Sequence, residues 1–261
     1  MRKHKFIYNT SIQWLWLIAL LVSWEIVARC GLVNTYILPP FSKVFTNMIH
    51  EIIHGNLGFQ VLNSMKIILI GFLLSLAIAS IFTLLSVWIP PIKSLFDMLC
   101  SIMTPLPAIA ITPLIIMWFG IKTGAMLTII VHGVLWTMLR HLLDGIKSIK
   151  EEYYDWGKTI CLPPWRMFTD IIVPAIMQEF LAGIRVGWGR AWRALLSAEM
   201  MFGMIGNLGG LGYYIYIARS YANLTNVLSS VLIIVIIGML VEILLFGQIE
   251  RHTVLKWGYD T

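Results

Sequence analysis

Long apolar runs, separated by short polar segments, organise this 261-residue chain. A helix that crosses a bilayer needs about 20 mostly apolar residues, because lipid offers no partner to a backbone N–H or C=O and the segment must satisfy its own. Six stretches reach that length, at residues 12–32, 62–88, 95–118, 125–143, 177–201 and 227–246. The pattern predicts an all-α polytopic membrane protein with six transmembrane helices. The third stretch differs from the rest, since Pro105, Pro107 and Pro113 each remove a backbone donor and obstruct regular helix. Neighbours must re-satisfy the carbonyls freed there, so this span is expected to be buried against protein or to line a path.

Composition agrees with a lipid setting. The chain is 59% hydrophobic and 12% charged, against about 25% charged in soluble domains, and its mean hydropathy is +0.83. A soluble enzyme, a disordered chain and a disulfide-stapled secreted module are excluded. The net charge of +6 could point to nucleic acid. In a membrane chain, however, lysine and arginine gather on cytoplasmic loops, and no nucleic-acid partner is expected. With the N-terminus inside, the cytoplasmic segments hold eleven basic residues, among them Arg2, Lys3, Lys5, Lys147, Lys150, Arg251 and Lys256, against five outside or near that boundary. Both termini are therefore expected in the cytoplasm. The N-terminal basic cluster mimics a signal peptide, but the run after it carries Glu25 and Arg29, lacks an A-x-A site and reaches spanning length. It reads as the first span, with Glu25 and Arg29, spaced i, i+4, neutralising each other.

Cys30, Cys100 and Cys161 lie far apart without C-x-x-C spacing, so they read as inert thiols. His50 and His54 share a helix face but have no third ligand nearby, and read as a surface or packing pair.

One long inward segment, residues 144–174, stands out. Its stretch 147–158 is polar on one face and can form a short helix, which Pro163 and Pro164 stop; Pro164 can open the next helix at a position where its missing donor costs little. Here the chain resembles the permease subunits of ATP-binding-cassette (ABC) importers, specifically the nitrate, sulfonate and taurine type. Those carry a cytoplasmic Glu-Ala-Ala-x-x-x-Gly pattern, then Trp and Leu-Pro, which forms the coupling helix docked on the ATPase. The matching positions are Asp155, with Trp156-Gly157 at the paired alanines, Cys161 at the glycine, Trp165, and Val173-Pro174. A second register, with Glu151 and Gly157 on the Glu and Gly, leaves Pro174 too far downstream, and the first fits better. Where the family has glycine, Pro163-Pro164 is expected to replace its permissive backbone.

Further resemblance runs in order along the chain: Leu38-Pro39-Pro40 with Ser42, Pro105-Leu106-Pro107 through Pro113 to Trp118-Phe119-Gly120, Gly189-Arg190-Ala191-Trp192, Ala198-Glu199 and Gly210-Leu211-Gly212-Tyr213. The resemblance implies a type I ABC importer permease fold in the bacterial inner membrane. It implies ATPase coupling through Asp155, Trp156, Gly157, Cys161 and Trp165. The implied partners are a second copy of the chain, two ATPase subunits and an extracellular or periplasmic solute-binding protein. ATP and Mg would sit on the ATPase, and no cofactor on this chain. Gly157-Lys158-Thr159 looks like the tail of a phosphate loop, but Glu152 occupies its first glycine position and no strand precedes it, so it reads as a chance match.

The fifth span carries Arg185, Arg190 and Arg193 in a largely apolar stretch, where each charge facing lipid costs about 2.5–3.5 kcal/mol. At about 100° per residue, Arg193 falls about 80° and Arg190 about 140° from Arg185, on one face. Trp188, Trp192 and Leu195 lie on the other side. The arginine face either borders a wet translocation path together with Pro107 and Pro113, or its members pair with carboxylates such as Glu179, Glu199 or Glu242 or snorkel to an interface. Glu199 falls off that face and is expected to cap or pair near the outer end. Gly183 and Gly187 form a small-xxx-small pair that permits close helix approach. A cationic path favours a small anion such as a sulfonate, nitrate or carboxylate. An ion-coupled carrier or channel is the rival reading; a membrane enzyme is disfavoured by the lack of H-E-x-x-H, G-x-S-x-G or clustered ligands.

Overall fold

A computed structural model describes residues 2–31, 33–203 and 209–248. The described residues are helical or lie in turns and loops, with no strand among them. In chain order the helices are α1 (Arg2–Arg29), α2 (Phe41–Ile53), α3 (Leu57–Trp88), α4 (Pro90–Met103), α5 (Ala108–Phe119), α6 (Thr123–Ser148), α7 (Glu151–Thr159), α8 (Pro164–Arg166), α9 (Val173–Phe202), α10 (Leu211–Ser220) and α11 (Leu224–Leu240); π-helical turns at Met167–Ile172 and Val241–Phe246 follow α8 and α11.

Among the described residues, four helical runs are long and apolar enough to cross a membrane: Leu57–Trp88, Thr123–Ser148, Pro164–Phe202 and Leu224–Leu244. The α4–α5 pair makes a fifth if it counts as one span, and it is bent by 104°. The bend falls within the proline-rich third stretch, residues 95–118. Pro105 and Pro107 withhold two consecutive-turn donors, and Pro107 sits extended at ψ 134° as the cap of α5. Of the first expected span, 12–32, residues 12–29 lie within α1, which is not in this set. Arg251 and Lys256 lie outside the described residues.

The chain divides into two compact units. The first comprises Met1–Gln60 and Tyr214–Val235. In it, the Glu25 carboxylate accepts the Ser42 backbone N–H at 3.0 Å and the Ser42 hydroxyl at 2.8 Å, which caps the start of α2. Arg29 Nε donates to the same carboxylate at 2.6 Å, so the pair neutralises itself as the i, i+4 spacing suggests. Trp24 Nε1 donates to the Pro39 carbonyl at 3.1 Å and fixes the Leu38-Pro39-Pro40 loop. Asn47 donates to Asn226 at 2.8 Å and to Ser229 at 3.0 Å, tying α2 to α11. The Tyr214 hydroxyl donates to Glu51 at 3.0 Å; burial and that carboxylate push its pKa upward. His50 and His54 are exposed with ring centroids 5.3 Å apart.

The second unit comprises Val61–Tyr213 and Ile236–Thr261. Its core lies where α3, α4 and α6 meet, with Ala79, Cys100, Met138, Leu139 and Leu143 buried and Phe82 stacked on Phe96 at 4.5 Å. Against this core α9 packs along α6 with almost no intervening side chain. A Cβ on Gly183 would lie 2.9 Å from the His141 Cβ and 3.0 Å from the Met138 Sδ; one on Gly187 would meet Val134 at 3.2 Å and Phe72 at 3.3 Å. From the other side, a Cβ on Gly133 would lie 3.2 Å from the Ala194 Cβ, and one on Gly145 would lie 3.1 Å from the Glu179 Cβ. Without a hydrophobic driving force between helices in lipid, such contact distances are what hold two spans together.

The close approach yields a paired expectation. Gly183→Ala forces His141 and Met138 apart and should lower unfolding stability by about 1–3 kcal/mol. Gly189→Ala on the same helix meets nothing within 4 Å and should be neutral or stabilising by up to about 1 kcal/mol. Thermal unfolding of both variants in detergent checks this; equal melting temperatures would contradict the packing described.

Candidate translocation site and coupling segment

The break between α4 and α5 opens a cavity of about 360 Å³ in the second unit, bounded by residues 103–109, by α6 and by α9. Bending the chain there frees the Thr104 carbonyl, and Arg190 Nη1 donates to it at 3.4 Å. An in-membrane arginine thus re-satisfies a proline-broken backbone. Arg193 and Ser197 line the same wall, and among the described residues Arg193 pairs with no carboxylate. From α6, His132 and Trp136 also belong to the lining. Both His132 ring nitrogens and the Trp136 indole N–H are buried without a hydrogen-bond partner among the described residues. Aspartate and glutamate are absent from the described lining.

Of the residues assigned to a path from sequence, Arg190, Arg193 and Pro107 come together here, whereas Arg185 and Pro113 do not line the cavity. Arg185 Nε lies 3.1 Å from Glu242 and its guanidinium sits over the Phe246 ring at 5.6 Å. Pro113 lies inside α5 and is exposed. Glu179 takes His141 as its partner at 3.1 Å. His132 and Trp136 escaped the sequence reading. The available signal was a histidine inside a spanning stretch, one turn before a tryptophan, at a depth where a polar ring needs a reason.

Glu199 is buried near the C-terminal end of α9. Its carboxylate accepts the Ser64 hydroxyl at 2.8 Å and the Gly212 backbone N–H at 2.7 Å, while the Ser64 oxygen accepts the Leu211 N–H at 2.8 Å. Asn63 adds a bond to the Gly209 carbonyl at 3.2 Å. A Cβ on Gly212 would strike the Leu196 carbonyl at 2.6 Å, so Gly210-Leu211-Gly212 is a backbone cradle folded onto one carboxylate. Ser64 was not legible from sequence, because nothing local marks it among the α3 residues.

Ahead of α9, α7 ends in a reciprocal pair of backbone bonds, Cys161 N–H to the Lys158 carbonyl and Leu162 N–H to the Gly157 carbonyl, both at 2.9 Å. This is the Schellman closure, whose C′ residue must be left-handed. Cys161 has φ +50°. The expectation that Pro163-Pro164 would substitute for the family glycine is corrected: Cys161 itself adopts the glycine conformation, and Pro164 opens α8. Gly157 is buried against Met167 and Ile171, where a Cβ would come within 3.0 Å of Ile171. Burial raises the pKa of Tyr154 on the same helix. Asp155 is exposed beside Lys158 at 3.5 Å. Trp156, Ile160 and Trp165 are 61%, 68% and 62% exposed, and Arg166 covers one face of Trp165 at 5.2 Å.

Residues 90–252 match the family model of the binding-protein-dependent transport system inner membrane component. The chain belongs to that family. It is a transport permease and a multi-pass membrane protein, not an enzyme. A protein of Methanocaldococcus jannaschii described as an ABC transporter permease is 30% identical over 225 residues, 85% of this chain and 83% of the relative. An aliphatic sulfonates transport permease of Bacillus subtilis is 25% identical, covering 90% and 83%, and the taurine transport permease of Escherichia coli is 24% identical, covering 95% and 94%. The last two are of the sulfonate and taurine type that the proline-rich stretch and the 155–174 motif of this permease resemble.

Two substitutions probe the geometry of the permease. A non-glycine residue in the left-handed region costs about 1–2 kcal/mol, so Cys161→Gly should raise stability by about 1 kcal/mol in thermal unfolding; an unchanged or lower melting temperature would argue against the left-handed turn. Glu199→Ala strips partners from the buried Ser64 hydroxyl and Gly212 N–H and should cost about 1–3 kcal/mol. Faster hydrogen exchange at residues 209–213 is the local readout, and protection equal to wild type would contradict the cradle.

Proposed function

We propose that this permease forms the membrane path of an ATP-driven importer for a small organic anion. Two copies pair, two ATPase subunits carrying ATP and Mg sit beneath the α7–α8 segment, and a solute-binding protein delivers cargo from the opposite face. In this reading α1 is the first of six spans, both termini are cytoplasmic, and the chain itself holds no cofactor. The observation that carries it is the patch of Trp156, Ile160 and Trp165, each more than 60% exposed, on a segment rich in charge. A soluble-facing loop gains nothing from three large bare apolar side chains, while an interface uses tryptophan as an anchor. Asp155 and Cys161 belong to the same docking element, the first at its rim and the second in its closing turn.

Cargo chemistry is supported by the donor-rich cavity and by relatives described as transporters of aliphatic sulfonates and taurine. A ligand with negative charge replaces the solvation that Arg190 and Arg193 lose on entering the bilayer. Small cargo needs only transient contact there, because the delivering protein has already selected it.

The test is reconstitution with the cognate ATPase and binding protein in liposomes. Truncating an interface tryptophan costs about 2 kcal/mol or more, so Trp156→Ala and Trp165→Ala should each weaken ATPase association about thirtyfold and depress cargo-stimulated transport. Arg190→Gln should slow anion import while leaving the ATPase bound. Import that persists without any ATPase would instead identify an ion-coupled carrier, and unchanged transport in all three variants would overturn the proposal.

A further inference from the structure

The helix α2 has three faces, and contacts within its own compact unit account for one of them. At about 100° per residue from Phe41, Glu51, Val44 and Met48 fall at about 280–340°; Val44 and Met48 are buried, and Glu51 accepts the Tyr214 hydroxyl. Lys43, Thr46 and His50 fall at about 140–200° and are exposed. Phe45, Ile49, Ile52 and Ile53 fall at about 20–120° and are 41%, 40%, 39% and 65% exposed, a bare apolar stripe along a 13-residue helix. At about 1.5 Å per residue α2 is about 20 Å long, too short to cross a hydrocarbon core of about 30 Å. It is nevertheless held at the mouths of membrane-crossing helices. Only residues 54–56 separate it from Leu57, where the apolar run of α3 begins. The Val44 carbonyl accepts the Ser229 hydroxyl at 3.0 Å and Asn47 donates to Asn226 at 2.8 Å, so α2 lies level with the first two turns of the run Leu224–Leu244. Phe41 shows which way the stripe is turned. Its ring packs on Trp24 at 5.6 Å and on Phe45 at 6.0 Å, and Trp24 lies five residues before the end of α1. The aromatic series therefore runs from the stripe back along α1, away from its tip.

We propose that α2 is an interfacial helix whose partner is the lipid surface: Phe45, Ile49, Ile52 and Ile53 are immersed at the boundary of headgroups and acyl chains, and Lys43, Thr46 and His50 stand at the headgroup level. A cation-bearing polar face opposite an aromatic and aliphatic one is the pattern of a helix that lies in the membrane plane. Among the described residues Lys43 forms no salt bridge, which leaves its ammonium to a lipid phosphate. Tyr36, 84% exposed in the loop before α2, adds a ring of the kind enriched at membrane interfaces. The tethers to α3 and α11 set the height of α2 by themselves; the direction of its stripe rests on the reading of α1 as a span.

Spin labelling of the full-length permease, assembled with its ATPase in nanodiscs of phosphatidylethanolamine and phosphatidylglycerol, tests this. The exposed native thiols are removed as Cys30→Ser and Cys161→Ser. One label per protein is then placed at Phe45→Cys, Ile49→Cys or Ile53→Cys on the stripe, or at Lys43→Cys, Thr46→Cys or His50→Cys on the polar face. Relaxation by oxygen, which concentrates in hydrocarbon, and by a water-soluble nickel chelate reports the depth of each label. Stripe labels should lie about 5–10 Å inside the headgroup boundary and be relaxed mainly by oxygen, whereas labels on the polar face should be relaxed mainly by nickel. Equal nickel relaxation on both faces would put the stripe in water and overturn the proposal. Stripe labels shielded from both reagents would overturn it as well, because a second copy or another protein would then be the cover. An unlabelled pair gives a second readout: Ile49→Asp should lower the melting temperature in nanodiscs and Thr46→Asp should leave it unchanged, and equal shifts would contradict the immersed stripe. None of these readouts needs ATP hydrolysis or cargo, so the lipid contact of α2 and the importer reading stand or fall separately.

Discussion

The contact between α6 and α9 is possible only because glycine occupies the crossing points. Gly183 and Gly187 on one helix, and Gly133 and Gly145 on the other, let side chains of the partner helix rest on bare backbone. In water the two helices could be driven together by hiding apolar surface, but in lipid they exchange one apolar neighbour for another. What remains is dispersion between well-fitted surfaces, which falls off within fractions of an ångström. The site depends on this contact, because α9 brings Arg190 and Arg193, and α6 brings His132 and Trp136, to the lining of one cavity.

The third wall comes from a defect turned to use. Pro105 and Pro107 stop one apolar run from forming one helix, and the 104° bend between α4 and α5 leaves a carbonyl and a gap where lipid-facing helix would otherwise be. Arg190 answers the carbonyl. The same guanidinium is therefore partly structural and partly available to the cavity, whereas Arg193 has no acidic partner among the described residues. Arg185, in the same arc of the helical wheel, is engaged by Glu242 and Phe246 instead. A wheel projects all three onto one face but hides their separation along the axis, about 1.5 Å per residue. That rise decides which neighbour each arginine meets.

α8, the π-helical turn and α9 form a continuous helical run from Pro164 to Phe202, with α7 resting on that turn through Gly157. A force applied to α7 thus has a short mechanical route to the arginine-bearing helix, without passing through a flexible linker. At the C-terminal end of the same helix, Glu199 gathers α3 and the Gly210-Leu211-Gly212 turn. In the importer reading, α9 connects the ATPase-facing patch, the cavity and the outward turn as one rigid element.

The sequence by itself determined the solvent of this protein and much of its helix content. Runs of apolar residues long enough to span lipid, prolines that cannot donate, and basic residues sorted among loops are all local properties, legible one window at a time. It also marked the Glu25–Arg29 pair, the Gly183/Gly187 approach, the short α7 helix and the ordered family motifs, because each lies within one or two turns. Only the tertiary structure decided that the third apolar run is two helices, that Cys161 takes a left-handed backbone, and that Ser64 and the glycine cradle close on Glu199. It likewise decided that His132, Trp136, Arg190 and Arg193 line one cavity, and that Arg185 does not join them. These outcomes depend on segments far apart in the chain meeting at particular heights and rotations, and helix spacing alone carries no information about which distant surface a side chain will meet.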